Sequence, residues 1–282
     1  MDQVRDWTTI AAVITLFYCV STQTTGAEAH TYLQKKHFIY AGGYWQDGQL
    51  TANSRFDSAD SVSINLDELG VDRHYLSGMV DYHYRLSNRW KMSAALYRFT
   101  QRGSTQRLKD DLVWEGQDFA AGLTLDADWQ INTVIVDAMY SLKQTKNFEL
   151  AVGGGLHALD AKLIMAGQRE ITGANGSLQG FGETARSSLV VPLPNLRATG
   201  FYAFNKKWST QFTLGWLSLS IDEYNGAFKY AHLRGQYQIS DRVGLSLGYQ
   251  LVEIDVKEQL KRGSRRFDMS FKGATAALTF AF

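Results

Sequence analysis

From residue 36 onward apolar and polar positions alternate with a period of two, in segments of ten or more residues broken by polar turns. Ten such segments are legible, at 36–46, 74–86, 89–101, 128–142, 148–160, 189–204, 208–221, 226–239, 243–257 and 266–282. The connections alternate in length. Ser87-Asn88, Gln144–Asn147, Asn205–Lys207 and Ser240–Arg242 are short, whereas 47–73, 102–127 and 161–188 are long; shorter links lie near 222–225 and 258–265. Short turns on one side, longer loops on the other and an even strand count are the pattern of a bilayer-spanning barrel. The spacing predicts an all-β fold: a single antiparallel up-and-down transmembrane β-barrel of ten strands, or of eight if two segments are loop hairpins.

Most strands also declare which face is which. In 74–86 the even positions Leu76, Val80, Tyr82 and Tyr84 oppose Ser77, Asp81, His83 and Arg85. In 128–142 Val134, Val136, Ala138 and Leu142 oppose Thr133, Asp137 and Ser141; in 243–257 Leu245, Leu247, Tyr249 and Leu251 oppose Ser246, Gly248 and Gln250. Aromatic residues (Tyr82, Tyr84, Trp90, Phe148, Tyr202, Phe204, Trp208, Tyr237) flank the short turns, as an interfacial girdle would. Near the far end of the returning strands the apolar phase changes. Leu96 gives way to Tyr97 and Phe99, Trp216 to Leu217, Leu219 and Ile221, and Leu251 to Val252, Ile254 and Val256. A β-bulge at the rim that re-phases the strand is the first explanation. The second is an apolar upper lumen formed by Tyr97, Phe99, Leu217, Leu219, Val252 and Ile254.

The first 29 residues differ from the rest. Arg5 precedes an apolar run from Ile10 to Val20, and Ala27-Glu28-Ala29 supplies an A-x-A site, so a cleavable signal peptide is expected over 1–29 and the barrel over 30–282. The single cysteine, Cys19, lies in that run, which leaves the exported part without thiol chemistry. Charge is nearly balanced, with 29 basic and 28 acidic residues, so nucleic acid is not an expected partner.

The last strand, Lys272 to Phe282, alternates Ala274, Ala276, Leu278, Phe280 and Phe282. It resembles the C-terminal assembly signal of Gram-negative outer-membrane proteins: Thr275, Phe280 and Phe282 match, and Ala277 stands where glycine is usual. The stretches Ser63–Asp72 and Trp216–Tyr224 resemble an uncharacterised group of proteobacterial outer-membrane barrels, with a wider likeness to small barrels of the OmpA and OmpW kind. The resemblance implies residence in the outer membrane, contact with its lipid and lipopolysaccharide, and passage through the barrel-assembly machinery. It implies no catalytic residues.

Charges on strands whose other face suits lipid must point inward. Asp81, His83, Arg85, Asp137, Arg197, His232 and Arg234 form this candidate lumen network, opposite small or neutral Ser93, Ala95, Gly153, Gly155, Gln211, Gly215, Ser246 and Gly248. Opposite charges there should pair, filling the lumen, because an unpaired charge in a low-dielectric interior is costly. A structural or surface-interaction role follows from a filled lumen; passive uptake of small, even hydrophobic, solutes follows from an open one. An outer-membrane hydrolase or acyltransferase is a third reading. Asp72, His74, Asp110, Asp111 and Asp222 lie on the loops, but H-E-x-x-H is absent from the chain. The expectation is no enzyme, no metal and no cofactor. His157 reads as a lumen hydrogen-bonder, and Gly153–Gly155 as an allowance for close packing.

Overall fold

The computed structural model describes residues 29–56, 62–65, 72–104, 108, 111–114, 117–172, 178–221, 224–260 and 263–282. Nearly all of them are strand. A single helical turn, α1 (Thr31–Gln34), precedes β1 (His37–Phe56), β2 (Val62–Asn65), β3 (His74–Arg85), β4 (Trp90–Ser104), β5 (Leu112–Trp114), β6 (Gln117–Phe119), β7 (Thr124–Gln144) and β8 (Phe148–Thr172). Then follow β9 (Leu178–Ala203), β10 (Trp208–Ile221), β11 (Tyr224–Gln238), β12 (Val243–Leu260) and β13 (Gly263–Ala281).

The wall runs β1-β3-β4-β7-β8-β9-β10-β11-β12-β13, each strand antiparallel to the next, and β13 closes on β1 from Phe38↔Ala281 to Phe56↔Gly263. Closure leaves a ring of ten strands, which settles the count in favour of ten over eight. β2 extends the β3 side of the wall, pairing with β1 at Thr51–Ser54, above the Asp47↔His74 end of the β3 ladder. β5 and β6 form a separate hairpin.

The strands are not re-phased at the rim. β12 pairs with β11 and β13 without a break from Val243 to Leu260, and β10 with β11 from Trp208 to Ile221. Among the described ladders one register shift occurs, between Ser141 and Lys143, beside a short turn. The bulge explanation therefore fails, and the reason is a change of surroundings. Along β12 Leu245, Leu247, Tyr249 and Leu251 face outward, followed on the same face by Glu253 and Lys257. The inner face runs Ser246, Gln250, Val252, Ile254, Val256. Low on the wall lipid is outside and polar groups are inside; higher up water is outside and the interior is apolar. β4, β7 and β13 change at the same level, from Leu96 to Arg98, Val134 to Asn132 and Ala274 to Lys272. Ion pairs trace that boundary: Lys229 with Glu253 at 3.1 Å and Lys272 with Asp47 at 3.7 Å. From Val243 to Leu251 a strand covers about 26 Å at ~3.3 Å per residue. At a tilt of roughly 35–45° this gives about 20 Å of bilayer, close to the ~25 Å apolar band of outer-membrane barrels.

The same inversion explains why the strands outrun their expected lengths. β1 continues to Phe56, β8 to Thr172, and β9 begins at Leu178, inside segments expected as loops. Above the boundary Leu159, Leu163 and Met165 still point inward every second residue, while Asp160 and Lys162 meet water. Pro192 and Pro194 lie within β9. Of the expected signal peptide only Ala29 belongs to the described residues.

Candidate functional site

The lumen has two storeys. The lower one, at the short-turn end, is polar and closed. Glu149 lies at its floor, 1% exposed, where Arg85 donates to both its oxygens at 2.8 and 3.0 Å, Lys91 donates at 2.7 Å and Ser141 at 2.6 Å. Arg197 pairs with Asp137, which also accepts from Ser93 Oγ at 3.2 Å. Gly155 makes room for that carboxylate: a Cβ there would collide with the backbone carbonyl of Val136 and with Asp137.

A chain of hydrogen bonds crosses the lumen from α1 to β13. The His83 ring donates from Nε2 to Asp81 Oδ1 at 2.9 Å, which leaves Nδ1 to accept from the Tyr32 hydroxyl at 3.1 Å. Asp81 Oδ2 accepts from Arg234 Nη2 at 3.1 Å, and the same nitrogen donates to His232 Nδ1. His232 in turn donates from Nε2 to Thr275 Oγ1 at 3.0 Å. The Arg234 guanidinium also lies 4.1 Å above the Tyr40 ring, whose hydroxyl donates to Gln211 at 3.0 Å. Every carboxylate in this storey thus faces a cation, as burial in low dielectric requires.

The segment before β1 stoppers this floor. Tyr32 and Leu33 are buried, and Tyr32 stacks on Phe201 at 4.5 Å and carries the Lys91 ammonium 5.8 Å over its ring. His30 caps the turn by accepting from the Tyr32 amide at 3.2 Å. Burial pushes the His30 imidazole down to about 4 and pushes the Tyr32 phenol up.

The upper storey is apolar. Phe99, Trp129, Ile131, Leu159, Val252 and Ile254 line it, and the β5–β6 hairpin sends Trp114 and Phe119 into the same core. A cavity of about 60 Å³ remains between the storeys, lined by Tyr44, Tyr97, Ile135, His157, Tyr230 and Val252 among others. His157 is 3% exposed, and neither ring nitrogen has a hydrogen-bond partner, contrary to the hydrogen-bonding role expected for it. Its ring meets Phe228 edge-on at 4.6 Å.

All seven charged or titratable residues expected in the lumen lie on the inner face, and six of them join the two polar assemblies just described; Arg85 with Glu149 forms the third. Glu149 and Lys91 were absent from the sequence-derived network, although they share the inward parity of Gly153 and Ser93. Of the apolar set, Phe99, Val252 and Ile254 are buried in the upper storey, and Tyr97 and Leu217 are half-buried. The Leu219 side chain lies outside the described residues. Thr275 points inward, and Phe280 and Phe282 point outward at the end of the closing strand. The loop acids do not gather: Asp72 caps His74 at 2.9 Å, Asp111 accepts from Ala121 at 2.7 Å, and Asp110 and Asp222 fall outside the described residues. No group of three metal-ligating side chains occurs among the described residues.

No family model matches the chain, and no curated protein matches it. Solved structures do. The outer-membrane protease OmpT of Escherichia coli superposes with a TM-score of 0.55, over 88% of this chain and 97% of that one, at 9% identity. The fold is that of an outer-membrane β-barrel. The apolar outward belt places the protein in the outer membrane, with the polar floor on the side of the short turns. OprG of Pseudomonas aeruginosa has a TM-score of 0.41 at 12% identity, covering 91% of this chain and 98% of its own. The toluene transporter TodX of Pseudomonas putida has 0.35 at 9%, covering 89% and 91%. At these identities the likeness concerns the fold, and the chemistry of this barrel has to be read from its own lumen.

Proposed function

We propose that this outer-membrane barrel is closed to ions and polar solutes, and that it serves a structural or surface-interaction role by carrying an apolar chamber and its loops outward. The observation that carries this reading is the lower storey, where Arg85 and Lys91 on Glu149, Arg234 on Asp81 and Arg197 on Asp137 fill the lumen above the Tyr32–Leu33 stopper. Opening such a floor would expose paired charges to the loss of their partners, which costs several kcal/mol for each pair. The reading assigns no catalytic residue, metal or cofactor. Its partners are lipid, lipopolysaccharide and, during biogenesis, the barrel-assembly machinery. Purified barrel in planar bilayers should give no conductance steps. Steady ohmic conductance from the unaltered protein would overturn the reading.

A second reading, binding or uptake of small apolar solutes from the outer side, is favoured by the apolar upper storey and its cavity of about 60 Å³.

A further inference from the structure

The charges of the lower storey do not balance. Among the described residues Arg85, Lys91, Arg197 and Arg234 bring four positive charges into it, and Glu149, Asp137 and Asp81 bring three negative ones. His83 and His232 add to neither side, since each donates from Nε2 and accepts at Nδ1. Protonating either ring would only widen the excess. Lys91 is the surplus cation. It shares Glu149 with Arg85, whereas Arg197 and Arg234 each have a carboxylate of their own. At 7% exposure it is out of reach of the counter-ions of bulk water.

Aromatic faces soften the imbalance without removing it. Lys91 lies 5.8 Å over the Tyr32 ring, Arg197 5.2 Å over Tyr230 and Arg234 4.1 Å over Tyr40. A π-face attracts a cation but carries no net charge, and an uncompensated charge in a low-dielectric interior is costly.

Lys91, Arg197 and Arg234 all line one cavity of about 20 Å³, together with Tyr32, Thr199 and Thr213 among others. Asp81 borders it too, with its oxygens already engaged by His83 and Arg234. Donors are left over on the cationic side. Among the described residues Lys91 donates to Glu149 alone and Arg197 to Asp137 alone, although an ammonium and a guanidinium offer several N–H groups each.

We propose that this cavity is a halide site, in which one chloride held by Lys91, Arg197 and Arg234 supplies the missing counter-charge of the lower storey. Its size selects the class of ligand. One water needs ~10–15 Å³ of such space, so about 20 Å³ takes a monatomic anion and shuts out sulfate, phosphate or a carboxylate. Ammonium, guanidinium and hydroxyl donors converging from several strands suit a spherical ion that has no preferred direction of bonding. The buried Tyr32 ring of the stopper borders the cavity, so the ion is taken up as the barrel folds. A bound chloride is compatible with a silent or a conducting barrel, and its fate is therefore separate from that of the role proposed above.

The full barrel is refolded into lipid vesicles in sodium chloride or in sodium gluconate at equal ionic strength, and its unfolding in urea is followed. The midpoint should be higher in chloride. Each ten-fold rise in chloride beyond the half-saturating level should lift it by the equivalent of about 1.4 kcal/mol. Lys91→Met leaves the storey neutral and should lose this dependence. Thr213→Asp places a carboxylate at the cavity and should also unfold at the same midpoint in both salts. Barrel refolded and crystallised in sodium bromide should show one anomalous peak beside Lys91 Nζ, absent from Lys91→Met. Equal midpoints for the unaltered barrel, or bromide confined to its outer surface, overturn the site and assign the balance to a neutral Lys91 amine. Chloride dependence that survives in Lys91→Met or Thr213→Asp overturns the placement in this cavity. Where either variant does not fold, Lys91→Gln or Thr199→Asp takes its place.

Discussion

Arg85 grips Glu149 by both carboxylate oxygens, at 2.8 and 3.0 Å, across 64 positions of sequence. Lys91 shares the same carboxylate, so one buried anion holds two cations. Glu149→Gln would leave both cations in the floor with no counter-charge. It should lower stability by about 3–5 kcal/mol, read from urea unfolding in lipid vesicles. A change within a few tenths of a kcal/mol would mean that water reaches the floor freely.

Asp137 and Arg197 form a separate pair higher in the same lower storey, buried against Ser93 and Gly155. Asp137→Ala and Arg197→Ala should each cost about 3–5 kcal/mol, whereas Asp137→Leu with Arg197→Met should cost far less than either, because no buried charge is left over. Neither single variant should create a large conductance, since the Glu149 and Asp81 groups still fill the lumen. Unfolding midpoints equal to the unaltered protein, together with new conductance, would reverse the assignment of a packed lower storey.

The inversion of the outer face gives a position-dependent prediction. Leu247 lies mid-belt and is 68% exposed to what surrounds the barrel, whereas Glu253 lies three outward positions higher on the same strand face. Leu247→Arg should destabilise the barrel in bilayers by about 2–4 kcal/mol, and Glu253→Arg by no more than ~1 kcal/mol. Equal costs at the two sites would move the lipid boundary.

His30 supplies a pH dependence outside the membrane-spanning strands. Its folded pKa of about 4 lies below the ordinary 6.5, because burial disfavours the charged ring. The stability it supports is complete above pH ~6.5 and falls as the pH drops toward 4, since the released segment binds a proton that the docked one does not. Protonation also takes away the Nδ1 lone pair that accepts from Tyr32. Amide exchange at Tyr32 and Leu33 should accelerate between pH 6.5 and 4, and His30→Gln should flatten that rise. Exchange independent of pH-linked opening, after correction for intrinsic rates, would remove His30 from the stopper.

Alternation in the sequence carried the strand count, the inward set from Asp81 to Arg234, and the outward Phe280 and Phe282, because a period of two needs only local information. Glu149 and Lys91 were equally legible by parity, and a preference for small residues on the returning strands hid them. The upper halves of β8 and β9 were hidden for a different reason. A pattern keyed to lipid outside and polar inside reverses where Asp160 and Lys162 meet water, and Leu159, Leu163 and Met165 then read as loop. α1 offers only four residues and no periodicity.

The unbroken register of β12 and β13, from Val243↔Phe280 to Leu260↔Gly263, also constrains how this barrel can change height. Removing two residues from each strand of that hairpin lowers the rim by one pleat and leaves every remaining side chain on its own face. Removing one from β12 below Val252 sends Val252, Ile254 and Val256 into water and Glu253 and Lys257 into the chamber. Length variation above the membrane should therefore come in matched pairs of residues, so that an insertion on one arm of a hairpin is tolerated only with its counterpart on the other.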